Sequence, residues 1–119
     1  MNRVYPATVV RVEDGDGLVL DVDVGFFAHI IQPFRLLGCN ARELAQPGGP
    51  EARDHLAELL TNGSRVTVTS VKPDKFGGRW DGAITLADGT DLVAELIAQQ
   101  WAAAWNGVGP KPSPPWPRP

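Results

Sequence analysis

Glu13-Asp14-Gly15-Asp16-Gly17-Leu18-Val19-Leu20-Asp21-Val22-Asp23-Val24-Gly25 is the stretch on which the fold turns. Leu18, Leu20, Val22 and Val24 alternate with Val19, Asp21 and Asp23, a period of two that predicts a strand with one buried face. The Asp-Gly steps before it predict a tight turn in which glycine supplies the positive φ of a hairpin. Upstream, Ala7 to Val12 is short and β-branched, which makes it the first strand. Downstream, Gly25 turns the chain and Ile30 to Leu37 forms a third strand, with Pro33 marking an edge or a bulge.

Beyond the third strand the period changes. Pro50 suits the first position of a helix, Ala52, Leu56, Leu59 and Leu60 share a face, and Asn62-Gly63 stops it. Arg65 to Val71 alternates again, and Trp80 to Leu86 follows a glycine-rich turn as a fifth strand. After Ala87-Asp88-Gly89-Thr90 a last helix is predicted, with Val93, Leu96, Ile97, Gln100 and Trp101 on one face. Three strands, a helix, two strands and a short helix predict a mainly β protein. The expected architecture is a five-stranded oligonucleotide/oligosaccharide-binding (OB) barrel with a helix between strands three and four.

The composition sets the class. The chain has 119 residues, 43% of them hydrophobic and 21% charged, ordinary values for one globular domain. No apolar run is long enough for a membrane span, and the first residues do not read as a signal peptide. The one cysteine, Cys39, forms no internal disulfide and fits a reducing compartment, so a cytoplasmic location is expected. Residues 1–106 read as the folded domain. Six of the eleven prolines fall in the last ten residues, so 107–119 reads as an extended, polyproline-like tail. The tail is either a spacer or strap lying on the domain, or a docking peptide for an aromatic groove.

Three pieces carry chemistry. Asp14-Gly15-Asp16 puts two carboxylates on one turn, a start for a hard divalent cation, although Asp-Gly turns are common without metal. Arg35 interrupts an apolar strand, where a guanidinium needs an anionic partner, and Glu43 follows in the loop after it. Asp74-Lys75-Phe76-Gly77-Gly78-Arg79 supplies a second arginine at the exit of a turn. Cations that neutralise phosphate oxygens, with a carboxylate that positions or deprotonates water, are the parts phosphodiester hydrolysis requires.

In this order the pieces resemble the staphylococcal-nuclease (thermonuclease) family. The Asp-Gly-Asp turn, the Arg35-Leu36-Leu37 strand ending in a Glu43 loop, Gly49-Pro50-Glu51-Ala52 opening a helix, the Lys75-Phe76-Gly-Gly-Arg79 turn and Ala87-Asp88-Gly89 all match, over roughly Ala7 to Ala104. The Gly25-Phe26 hairpin and the Asn40-Ala41-Arg42-Glu43 loop look most like actinobacterial and phage members. The resemblance implies an OB barrel and Ca²⁺-dependent cleavage of DNA or RNA, leaving a 3′-phosphate. It assigns Asp16 and Asn40 as side-chain metal ligands, Ala41 as a carbonyl ligand and Asp14 as a supporting carboxylate. It makes Glu43 the general base and gives Arg35 and Arg79 the phosphate. Lys75 and Phe76 match positions that flank bound nucleotide, and Arg42 is an added cation that reaches substrate.

Several positions depart from the family pattern. Asn40 stands where aspartate is usual, Arg42 replaces a proline, Gly17 a threonine and Phe76 a tyrosine. Gly77-Gly78 adds a residue to the arginine turn. Trp105 and the tail occupy the place of a third helix, with Trp116 expected to fold back over the barrel. Elsewhere His29 and His55 read as surface residues, Cys39 as a small buried hydrophobe, and Trp101 and Trp105 as core. Phe26 and Phe27 read as an exposed hairpin tip, able to stack on bases or a second subunit.

A calcium-dependent nuclease is therefore the expected function. The alternatives are a catalytically weakened OB module that binds nucleic acid or protein, and a structural or interaction protein of a phage particle. Nothing in the sequence sets the oligomeric state, and a monomer is compatible with it. The net charge of −3 disfavours loose electrostatic binding of nucleic acid. However, Asp14, Asp16 and Glu43 are three of the fourteen acids, and setting them aside leaves eleven acids against eleven bases. The grip on a polyanion is thus expected to depend on a bound cation.

Overall fold

The computed structural model describes residues 2–115. The expected return of Trp116 over the barrel lies outside the described residues. The chain runs β1 (Arg3–Asp14), β2 (Gly17–Gly25), β3 (Ala28–Leu36), β4 (Cys39–Ala41), α1 (Gly49–Leu59), β5 (Arg65–Pro73), β6 (Trp80–Leu86), α2 (Leu92–Ala98) and β7 (Ala102–Ala104). Five strands close a barrel in the order β1-β2-β3-β6-β5. All ladders are antiparallel except β3 with β6, which closes the barrel in parallel through Phe34↔Trp80, Arg35↔Asp81 and Leu36↔Gly82. The mainly β, five-stranded OB-like barrel read from the sequence is what the chain forms, with α1 between the third and fourth barrel strands.

The period of two in β2 does what it predicts at the interior face. Leu18, Leu20 and Val22 are buried with Ala7 and Val9 of β1, Phe34 and Leu36 of β3, Val66 and Val68 of β5, and Ile84 of β6. Leu56 and Leu60 from the α1 region and Leu92 and Leu96 of α2 extend this core. Each such side chain is worth about 1.5–3 kcal/mol of burial, which makes the barrel a rigid support for groups at its rim. Pro33 sits one residue before the β3–β6 ladder begins, on a stretch paired with β2. Its missing N–H therefore removes no bond from the closing seam.

Four readings need correction. First, Gly15 does not have a positive φ. A Cβ there would lie 2.9 Å from the Ala41 Cβ and 3.0 Å from the Ala52 Cβ, so close approach of three segments demands the glycine. Second, the Asn40-Ala41 stretch is not loop. It belongs to β4, which pairs with β7 as a separate two-stranded sheet through Asn40↔Ala103 and Ala41↔Ala102.

Third, α2 ends at Ala98. Gln100 takes a φ of 69°, and Trp101 N–H donates back to the Leu96 carbonyl at 3.0 Å. This is the reversed bond of a Schellman stop with glutamine in the usual glycine position, so Gln100 and Trp101 lie beyond the helix. Fourth, Trp105 is only half-buried and does not join the core, whereas Trp101, also half-buried, packs against it as expected. Trp101 stacks on His55 with ring centroids 4.6 Å apart, and His55 also meets Gln99 at 2.7 Å, so His55 is not a plain solvent-facing residue. The β2–β3 hairpin tip is as exposed as expected, with Phe26 and Phe27 both at φ 57°.

Candidate functional site

At one end of the closing seam, the end of β1, the turn after it, β3, β4 and the loops after β4 and β5 converge. A cleft of about 340 Å³ is lined by Asp14, Asp16, Arg35, Asn40, Ala41, Glu43 and Arg79, together with Lys111. These residues are spread over nearly a hundred positions of sequence. The closed barrel and the small β4–β7 sheet bring them together.

Asp16 organises the floor. Its Oδ2 accepts the Ala41 N–H at 3.0 Å and lies 3.6 Å from an Arg35 guanidinium nitrogen, while its backbone carbonyl accepts the Leu36 N–H at 2.8 Å. Asp14 Oδ1 accepts the Asp16 N–H at 3.1 Å. Burial, and then the charge of Asp14, push the Asp16 carboxyl up from the ordinary 3.8 to about 6, against the lowering effects of the Ala41 N–H and Arg35. Arg35 is the buried cation that its apolar strand required to be paired. Its guanidinium meets Asp16, donates to the Cys39 carbonyl at 3.4 Å and lies 5.3 Å from the centre of the Trp105 ring. Beside it Cys39 is fully buried, and burial first, then the Asp16 charge, push its thiol up to about 12. A thiol held neutral in this way is a packing group.

Glu43 is held by its backbone. Its N–H donates to Gln46 Oε1 at 2.8 Å, its carbonyl accepts from the Gln46 N–H at 2.9 Å, and a Cβ on Gly49 would fall 1.8 Å from that same carbonyl. The start of α1 therefore seats directly on the Glu43 peptide. The Glu43 side chain is 63% exposed and lines the cleft, its Oε1 3.4 Å from Lys111 Nζ.

Arg79 enters from the other wall. Its Nε donates to Asp74 Oδ2 at 3.1 Å, and the Asp74 N–H returns to the Arg79 carbonyl at 2.9 Å. Burial alone would raise Asp74, but hydrogen bonds from Asp81 and Arg79 hold it below the usual carboxylate range. The partner Asp81 is raised, by burial first and then by Asp74, and its Oδ1 is buried without a hydrogen-bond partner. Asp74, held low, carries the charge that grips Arg79, with the raised carboxyl of Asp81 beside it.

Lys75 and Phe76 do not line this cleft. They lie in an adjoining one of about 210 Å³ that shares Arg35 and Lys111 and includes Lys72 and Trp105. Lys75 Nζ sits 5.3 Å from the Phe76 ring and 6.0 Å from the Trp105 ring. Arg42 lines neither cleft and donates to the Pro114 carbonyl at 3.0 Å.

Three participants were not read from the sequence. Trp105, expected in the core, roofs Arg35. Asp81 stands beside Asp74, the anchor of Arg79, and each shifts the other's carboxyl. Lys111, counted with the tail, reaches Glu43. A charged residue in an otherwise apolar strand was a usable signal for Asp81, as it was for Arg35. For Trp105 and Lys111 no local signal exists.

The oxygen donors available to a cation are the carboxylates of Asp14 and Asp16, the Asn40 amide oxygen and the Ala41 carbonyl. That set is hard and all-oxygen, as Ca²⁺ requires. The raised Asp16 carboxyl marks negative charge that the surrounding protein leaves incompletely compensated, so the residues fit a divalent cation. No cluster of three or more His, Cys, Asp or Glu stands ready for a metal among the described residues. The neutral oxygens of Asn40 and Ala41 are therefore required to complete the set. No protein-family model and no curated protein sequence matches the chain. Among the described residues no helix is long and apolar enough to cross a membrane.

Proposed function

We propose that the protein is a metal-dependent nuclease that hydrolyses phosphodiester bonds of DNA or RNA. One observation carries the reading: a single cleft is lined by the carboxylates of Asp14 and Asp16, the neutral oxygen donors of Asn40 and Ala41, the exposed Glu43 and the two arginines Arg35 and Arg79. Asp14, Asp16, Asn40 and Ala41 would hold Ca²⁺, which when bound would supply positive charge against a phosphate oxygen. Glu43 is exposed enough to meet water and accepts its proton as the water attacks phosphorus in line with the leaving 5′ oxygen. Arg35 is anchored by Asp16 and Trp105, and Arg79 by Asp74. Both guanidiniums are pre-oriented to take up the charge that grows on the five-coordinate phosphorus. Lys75, Phe76 and Trp105 in the adjoining cleft offer a cation and two rings to the neighbouring nucleotide.

Plasmid and single-strand cleavage with Ca²⁺, compared with EDTA and with Glu43→Gln, tests this reading. Loss of a positioned general base lowers the rate by about 10²–10⁴-fold. Cleavage that ignores EDTA or the variant refutes the assignment. Oligonucleotide binding without cleavage assigns the cleft to an OB-type binding module, the reading that Asn40 in place of a charged ligand favours.

A further inference from the structure

The proline-rich tail is not a free appendage. Asn40 Nδ2 donates to the Pro112 carbonyl at 3.0 Å, Arg42 donates to the Pro114 carbonyl at 3.0 Å, and Lys111 Nζ meets Glu43 Oε1 at 3.4 Å. Pro114 is buried, and Lys111 lines both clefts. Three of the four positions 40–43 (Asn40, Arg42 and Glu43) are thus engaged by three of the four tail residues 111–114 (Lys111, Pro112 and Pro114).

The chemistry of this strap mirrors that of a nucleic-acid strand. Proline has no N–H, so the backbone at Pro112 and Pro114 presents acceptors only. Acceptors alone are also what phosphate oxygens present to Asn and Arg donors. Lys111 meanwhile occupies the carboxylate that needs access to water. An extended proline-rich segment is stiff before it docks, so it loses little entropy in docking. The contacts are an exposed ion pair and two hydrogen bonds, a grip weak enough for a polyanion to displace.

We propose that Lys111 to Pro115 form an intrasteric strap that competes with the nucleic-acid strand for the cleft. The proposal rests on the reading of the cleft as a nucleic-acid site and adds its regulation: substrate, or a partner that takes the proline-rich segment, opens it. The strap lowers apparent substrate affinity by the fraction of molecules in which it is docked.

The test uses the full chain and its full-length Lys111→Ala/Pro114→Gly variant. Fluorescence anisotropy follows binding of a labelled phosphorothioate oligothymidylate, which resists cleavage, in Ca²⁺. Removing a lysine from a simple anion-binding surface weakens binding. Removing it from a strap tightens binding, here by about threefold to tenfold if the strap is mostly docked. Lys111→Ala alone, at an exposed position that leaves the fold intact, must shift affinity in the same direction. A synthetic peptide of residues 109–119 must displace the oligonucleotide from the double variant. Unchanged or weaker binding in both variants overturns the strap. If both proteins bind the oligonucleotide with the expected difference but neither cleaves native DNA, the nuclease reading fails and the strap stands. If neither protein binds, both readings fall.

Discussion

Asp16 does two things that pull against each other. Its buried carboxyl is the best-placed anionic ligand in the cleft, yet ionising it without a cation is costly. The folded form keeps its proton up to a pH of about 6, whereas the ordinary value is 3.8. Between these values the native state binds more protons than the unfolded chain, so stability of the metal-free protein falls as pH rises through this window. The displacement corresponds to roughly 2–3 kcal/mol. Asp16→Asn keeps an acceptor for the Ala41 N–H and removes the titration. It is expected to flatten the pH dependence of stability between pH 4 and 7 and to abolish Ca²⁺ binding, while the loss of Arg35's anionic partner lowers stability at every pH. Urea unfolding of EDTA-treated protein at the two pH values measures this, and a wild-type protein more stable at pH 7 than at pH 4 would contradict it. Arg35 and Asp81 were legible as single residues in the same way: a charge inside an apolar strand announces a partner. The partner's identity was not legible, because Asp16 lies nineteen positions before Arg35 and meets it only across the β2–β3 pairing.

Elements position these residues with backbone as much as with side chains. The start of α1 rests on the Glu43 peptide so closely that position 49 admits no Cβ. Helix propensity alone favours alanine over glycine there by about 1 kcal/mol. A Cβ 1.8 Å from a carbonyl oxygen forces the loop away, and this is the larger effect. Gly49→Ala is therefore expected to lower the melting temperature rather than raise it. It should also reduce kcat at least tenfold with little change in the binding of a phosphorothioate oligonucleotide, since about 1 Å of misplacement suffices for losses of that size. A stabilised, fully active variant would remove the proposed role of this contact. The β4–β7 sheet matters similarly, because it fixes Asn40 and Ala41 over Asp16. Three consecutive alanines have no strand signature, and tertiary position alone made Ala102–Ala104 a strand. The long barrel strands were readable because a period of two survives over seven to twelve residues.

At the scale of the whole molecule, charge and folding meet at the cleft. On the proposed reading, a cation bound there would relieve the Asp14–Asp16 repulsion and compete with the proton on Asp16. Ca²⁺ should stabilise the protein more at pH 7 than at pH 5, the stabilisation at pH 7 being about 2.7 kcal/mol when its concentration reaches a hundred times the Kd there. Calorimetric melting with and without Ca²⁺ at both pH values measures it. Equal shifts at both pH values, or the same shift in Asp16→Asn, would place the ion elsewhere. On the proposed reading, the net charge of −3 would make the grip on a polyanion conditional on that ion. By itself the sequence determined the five barrel strands, the two helices and the barrel class, because alternation, caps and turn residues act locally. Only the tertiary structure decided that Gly15 is required by close packing rather than by φ. It also decided that Trp105 covers Arg35, that Asp81 backs Arg79 through Asp74, and that the tail lies on Asn40, Arg42 and Glu43. These are contacts between segments distant in the chain, and they depend on how the closed barrel and the β4–β7 sheet bring separate surfaces together, which no local pattern encodes.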